Sequence, residues 1–264
     1  MARSTPDTPF RRFTRGFDRL ALRSAAFLAV LGAAACVTTG SGHWLMGNHL
    51  DHERQISFDP ELDSGVELVI EMGAGDVEIV SVVGPSRLTA TVHEEVPGSA
   101  DLHFEGGRLV LSTVGGDEAM IAELMLELSH GLESITVNMG AGELTVDGID
   151  VRREVAISNG AGSVRLERLG APRRVEIGQG AGDLRVRGFE AEEVLLDLGA
   201  GDTSVDEMWI DRLEVNAGVG SIRVSDSTVD SLQADAGIGE IDLRSSDIRS
   251  HSVDAGIGSV NLDE

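Results

Sequence analysis

Seven stretches of the chain repeat one pattern: VNMGAGELTV from Val137, ISNGAGSVRL from Ile157, IGQGAGDLRV from Ile177, LDLGAGDTSV from Leu196, VNAGVGSIRV from Val215, ADAGIGEIDL from Ala234 and VDAGIGSVNL from Val253. The first glycine of each Gly-x-Gly falls at 140, 160, 180, 199, 218, 237 and 256, a spacing of 20 or 19 residues. A period this short and this constant, with a strand-like run on each side of the glycines, predicts a solenoid whose coils stack on one another. Three columns support it. Three residues before the glycine stand Val137, Ile157, Ile177, Leu196, Val215, Ala234 and Val253. Four after it stand Leu144, Val164, Leu184, Thr203, Ile222, Ile241 and Val260, and six after it Val146, Leu166, Val186, Val205, Val224, Leu243 and Leu262. Side chains alternate across a strand, so these columns face inward and the polar ones between them face water. The expected class is all-β: a single-stranded β-solenoid, or β-helix, with coils of about 19–20 residues. Outward neighbours Glu167–Arg187–Asp206 and Arg223–Asp242 should then pair across coils, each pair contributing about 0.2–1 kcal/mol.

The glycine pairs are Gly73 and Gly75, Gly140 and Gly142, Gly160 and Gly162, Gly180 and Gly182, Gly199 and Gly201, Gly218 and Gly220, Gly237 and Gly239, and Gly256 and Gly258. All are expected to be structural turns, because stacked corners leave no room for a Cβ or need positive φ. A dinucleotide loop would need a third glycine opening a helix, and no helix pattern follows. A calcium β-roll would need a nine-residue period, which is absent. Weak cation binding at the Asp183/Asp202 step is the remaining ligand reading; no metal or cofactor site is expected.

Upstream the pattern loosens. GVELVIEMGAGDVEIVSV, from Gly65, holds one more Gly-Ala-Gly; a hairpin is expected at Gly106-Gly107, and a loop or short helical turn over 116–121 before a strand. Residues 65–133 thus form an irregular N-terminal part and 134–264 the regular repeats.

The first 35 residues pair an Arg-rich start with the apolar Ala25–Leu31 and end in Ala33-Ala34-Ala35 before Cys36, the one cysteine. That order is a signal peptide, and Cys36 directly after it resembles a bacterial lipobox, although Ala33 replaces the usual leucine. Acylation at Cys36, cleavage after Ala35 and an uncleaved anchor are the three readings, and Arg11-Arg12 hints at twin-arginine export. Residues 36–64 read as a tether, since 37–60 hold no sustained period; His43, His49 and His52 beside Asp51 and Glu53 fit a solvated linker better than a metal site.

Charge then narrows the partners. The formal net charge is −24, and all 21 basic residues are arginine. Residues 1–35 hold six Arg and two Asp, so the chain without them carries −28. Nucleic acid is excluded as a partner, because a polyanion needs a positive face.

GAGDVEIV, GAGELTV, GAGSVRL, GAGDLRV and GAGDTSV resemble the bacterial "putative adhesin" family of β-solenoid domains over roughly residues 65–264. The resemblance implies the architecture; the family's function is otherwise unknown, and its adhesin label is an analogy to surface-exposed repeat proteins. An enzyme is not expected. His251 is the one histidine of the repeats, and aromatic sugar platforms are few: Trp44, Trp209, Phe58, Phe104 and Phe189. The expectation is a non-catalytic cell-envelope solenoid, exported, membrane-anchored through its N-terminal lipid or anchor, periplasmic or surface-exposed. It would serve in adhesion or as a scaffold toward an unidentified protein or surface; the alternative is a self-assembling envelope element. Val260 and Leu262 followed by Asp263 and Glu264 predict a charged, open last coil: monomeric, with end-to-end association where those charges are masked.

Overall fold

The computed structural model describes residues 50–60, 62, 65–113 and 117–263. Every element among them is a β-strand, nineteen in chain order, and the strands wind into a β-solenoid. The first coil is β2 (Glu67–Ala74) and β3 (Asp76–Ser81); the second is β8 (Leu132–Ala141) and β9 (Leu144–Asp147). From there each coil follows in turn, beginning with β10 (Val151–Ala161) and β11 (Val164–Glu167); in the last two coils the pair of strands runs together as one, β18 (Thr228–Arg244) and then β19 (Asp247–Asp263).

Parallel pairing puts like on like. Val155 lies beside Val175, Val175 beside Val194, Val194 beside Leu213, and Leu213 beside Leu232. Leu166, Val186, Val205, Val224 and Leu243 form a second inward ladder. These side chains are buried, and each is worth about 1.5–3 kcal/mol relative to leaving it in water. β-Branched and leucine side chains stack on their counterparts at the ~4.8 Å coil spacing.

Two turns close each coil. One is the Gly-x-Gly corner. The other lies eight residues beyond the first glycine, where Gly148, Arg168, Gly188, Glu207, Asp226 and Ser245 all have φ between +46° and +73°. Four of these are not glycine, so the conformation is held by the ladder: Arg168 N–H donates to Arg187 O at 3.0 Å and Glu207 N–H to Ser225 O at 3.2 Å. The next residue is buried in each coil from Ile149 through Leu169, Phe189 and Met208 to Ser227. At Ser227 a hydroxyl replaces the apolar plug and is satisfied, donating to Ser225 O at 2.7 Å and accepting from Met208 N–H at 3.1 Å.

The N-terminal part departs from the simple winding. The first coil packs between the second coil and a cap. Strand β7 (Ala119–Leu128) runs parallel to β3, and β4 (Arg87–Glu94) antiparallel to β7; β5 (Ala100–Glu105) and β6 (Arg108–Thr113) form the hairpin at Gly106-Gly107.

Two local expectations change. The tether expected through residue 64 contains β1 (His52–Phe58), antiparallel to β4. Arg54, Ile56 and Phe58 face the protein at period two while Glu53, Gln55 and Ser57 face water, and Phe58 meets Phe104 edge-on at 6.4 Å. The loop or short helical turn expected over 116–121 gives way to strand from Ala119. Its helix-like spacing from Ile121 to Leu124 comes from a bulge: Val92 pairs Ile121 and Thr91 pairs Glu123, so Ala122 is the extra residue.

Candidate functional site

The Gly-x-Gly corners are the obvious place to look for a ligand, and their atoms are already engaged. A Cβ on Gly180 would run into Gly160 O, and one on Gly182, at φ +116°, into Gly162 O. The corner amides donate to the next coil, Gly142 N–H to Ala161 O and Gly162 N–H to Ala181 O, both at 2.9 Å. They point along the stack and leave no cradle for a phosphate. Gly73, in the first coil, meets nothing within 4 Å.

The acidic residue after the second glycine acts between coils as well. Asp76 Oδ1 accepts from Glu143 N–H at 2.9 Å, Asp183 Oδ1 from Asp202 N–H at 3.3 Å and Asp202 Oδ1 from Ser221 N–H at 2.9 Å. The two carboxylates of the candidate cation step thus take up backbone donors, and among the described residues no three His, Cys, Asp or Glu groups converge as a metal site. Inside the corner, Asn159 Nδ2 donates to Gly142 O at 3.2 Å and Gln179 Nε2 to Gly162 O.

Charged columns pair much as their spacing implies. Arg187 reaches Asp206 at 3.5 Å and also Glu207 at 2.5 Å, while Glu167 pairs with Arg165 at 3.6 Å rather than with Arg187. Arg223 and Arg244 cover Asp242 at 3.5 and 2.6 Å. Arg174 sits among Glu154, Glu176 and Glu193. Partial burial pushes the Asp197 carboxyl up, against the hydrogen bond that Asn216 Nδ2 donates at 2.7 Å. In the cap, Glu94 is buried and receives Arg54 Nε at 2.9 Å, Gly98 N–H at 2.8 Å and Ala100 N–H at 2.9 Å. The Arg54 guanidinium and those amides outweigh desolvation and lower its pKa to about 2. His251 lies beside Leu232 on an exposed stretch of β19. Cys36, Trp44, His43, His49 and residues 1–35 lie outside the described residues.

The concavity that sequence reading missed lies on the side of the coils that follows the second turn. The coils from Gly140 and Gly160 are 20 residues long and the later ones 19, and the extra residue falls here. Arg174 stands 14 residues after Gly160, yet it pairs with Glu193, 13 after Gly180. Proline at 172 has no N–H to donate, and β12 (Arg174–Ala181) starts only beyond it, whereas β14 (Glu190–Ala200) and β16 (Trp209–Val219) start earlier in their coils. Ala171-Pro172 therefore form one wall of a groove of about 470 Å³, with Trp209 on its floor and the Arg249–Asp230 pair, 2.8 Å apart, at its far side. Trp209 is 59% exposed. It stacks in register between Glu190 and Thr228, and Glu192, Asp211 and Asp230 also line the groove. The signals were present in the sequence: a lone tryptophan in an outward column and the change of period.

Among the comparisons, the family model described as Toastrack DUF4097 matches residues 100–264. No curated protein matches the chain. Several solved structures are similar to the chain at low identity. A "putative adhesin" from Parabacteroides distasonis ATCC 8503 is 12% identical with a TM-score of 0.50, covering 80% of this chain and 97% of its own. A "putative adhesin" from Bacteroides fragilis NCTC 9343 is 14% identical with a TM-score of 0.47, covering 80% and 96%. A "putative lipid binding protein" from Parabacteroides distasonis ATCC 8503 is also 14% identical, with a TM-score of 0.49 over 80% and 96%.

Proposed function

From the chain's membership of the Toastrack DUF4097 family, we propose that it is a non-catalytic β-solenoid of the cell envelope, exported, anchored through Cys36, and acting in adhesion or as an interaction scaffold. One observation carries the reading. Coil after coil repeats the same outward positions in strict parallel register, for example Arg165 beside Arg185 and Ser204 beside Arg223. Broad faces of fixed side-chain spacing result, backed by a continuous buried ladder. Such faces suit recognition of an extended surface or partner, and an acidic chain of this kind repels polyanions.

The test is adhesion itself. Beads coated with the full processed chain are allowed to settle on bacterial cells and on host extracellular matrix, with soluble chain as competitor. Retention that the soluble chain abolishes is expected. Beads that wash off as readily as albumin-coated ones would overturn the adhesion reading.

A further inference from the structure

The groove over Trp209 sets an exposed aromatic side chain among carboxylates. On some other outward columns arginine pairs with neighbouring carboxylates, as at Arg174, Arg187 and Arg223, while the column of Asp183 and Asp202 carries no arginine. In the groove, Glu190, Glu192 and Asp211 have no cationic partner among the described residues, and Arg249 is committed to Asp230. Trp209, largely exposed, shares the lining with them.

We propose that this groove is a docking site for an extended basic peptide segment of a partner protein, with a lysine or arginine side chain seated on Trp209. Three features argue for that occupant. First, an aromatic face attracts a cation within about 6 Å of the ring centre. Glu190 is the in-register neighbour of Trp209 on one side, and Asp211 stands two residues along the same strand, so the same cation meets carboxylates at the edge of the ring. Second, the charge is complementary: the unpaired carboxylates need a positive partner, and the chain's overall charge of −24 steers one in. Third, the dimensions fit a peptide. The lining runs from Ala171 and Pro172 across the coils of Glu190, Trp209 and Thr228 to Arg249. At ~4.8 Å per coil that is a run of roughly 19 Å, the length of about six extended residues. The volume of about 470 Å³ lies within the ~300–1,000 Å³ range of ordinary binding pockets.

This inference rests on the scaffold reading for its biological sense, but its test does not. The full chain carrying Trp44→Phe, so that emission comes from Trp209, is titrated with acetylated hexalysine, hexaglutamate and a neutral hexasaccharide, by fluorescence and calorimetry. Hexalysine should saturate and shift the Trp209 emission, and binding should weaken as salt rises. Trp209→Ala leaves the net charge unchanged and removes an exposed side chain, so melting should hold while affinity falls about 10-fold. The pair Glu192→Gln/Asp211→Asn should weaken binding at least about 5-fold. Removing two charges far away, Glu78→Gln/Glu105→Gln, should alter it by less than about 2-fold. An unchanged affinity in Trp209→Ala, an equal loss in the distant pair, or binding of the hexasaccharide in place of the peptide would each overturn the proposal. Peptide binding at Trp209 without bead adhesion supports the groove and defeats only the adhesion reading; adhesion without peptide binding defeats the groove.

Discussion

Glu94 shows how much a single side chain holds in the cap. One carboxylate joins three partners: Arg54 from β1, the Gly98 amide of the turn ahead of β5 and the Ala100 amide that opens β5. Its folded pKa, about 2, lies below the ordinary 4.5. A carboxyl depressed on folding contributes its stability above the ordinary value, and the contribution drains away as pH falls from about 4.5 toward 2. Glu94→Gln keeps the shape and loses the charge, so it should cost about 1.5–3 kcal/mol at pH 7, with the gap between variant and parent narrowing across that acid range. Denaturant melts at pH 7, 4 and 2.5 measure it; a gap independent of pH contradicts the ion-pair account. The second turn offers the opposite sign. Asp226 sits at φ +48° with its side chain in water, and a non-glycine residue there is strained. Asp226→Gly should therefore raise the melting midpoint by an amount equivalent to roughly 0.5–1 kcal/mol. No change, or a loss, would mean the ladder bond to Arg244 O and the aspartate's own tolerance of that conformation remove the strain.

Coils and corners were the most legible elements, for a physical reason. Parallel stacking places each residue against the equivalent residue of the next coil, so an inward column is apolar along most of its length, and Val146, Leu166, Val186, Val205, Val224 and Leu243 state that in plain sequence. What escaped reading is what period alone does not encode. The left-handed residues at Arg168, Glu207, Asp226 and Ser245 are imposed by the ladder rather than by residue type. The bulge at Ala122 mimics a helical step, and β1 lies outside the glycine repeats and has an arginine among its inward residues. The groove depends on where one extra residue falls within a coil, which the count of 20 against 19 gives only once the sides of the coil are known. The corners yield a contrast at this scale. Neither Gly73 nor Gly180 has positive φ, but Gly180 faces a neighbour's carbonyl and Gly73 faces open space. Gly180→Ala must force two coils apart and should cost about 3 kcal/mol or more. Gly73→Ala should be neutral, or stabilising by up to ~1 kcal/mol. Equal effects in thermal melts would show that the corners tolerate a side chain and that close approach is not their reason.

At the scale of the whole molecule, the sequence and the fold divide the work. The solenoid supplies fixed faces, while in the proposed function the chain's place in the cell is set by the residues ahead of it. Six arginines, an apolar run and Ala33-Ala34-Ala35 precede Cys36, the order in which an export signal is read and cut. A single acyl chain holds a protein to a membrane only marginally, so stable attachment needs more than one; the net charge of −28 on the chain without residues 1–35 gives no electrostatic help on an anionic leaflet. If Cys36 is the anchor, then, attachment is carried by the lipid alone and should be lost in one step. Cys36→Ser should move the protein from the detergent phase to the aqueous phase and from the membrane pellet to the soluble exported fraction, with its melting temperature unchanged, because the substitution lies outside the stacked coils. High salt should not release the parent protein. A variant that stays in the membrane pellet would instead identify the apolar segment before Cys36 as an uncleaved anchor, and a parent that is itself soluble would point to cleavage after Ala35 and free secretion.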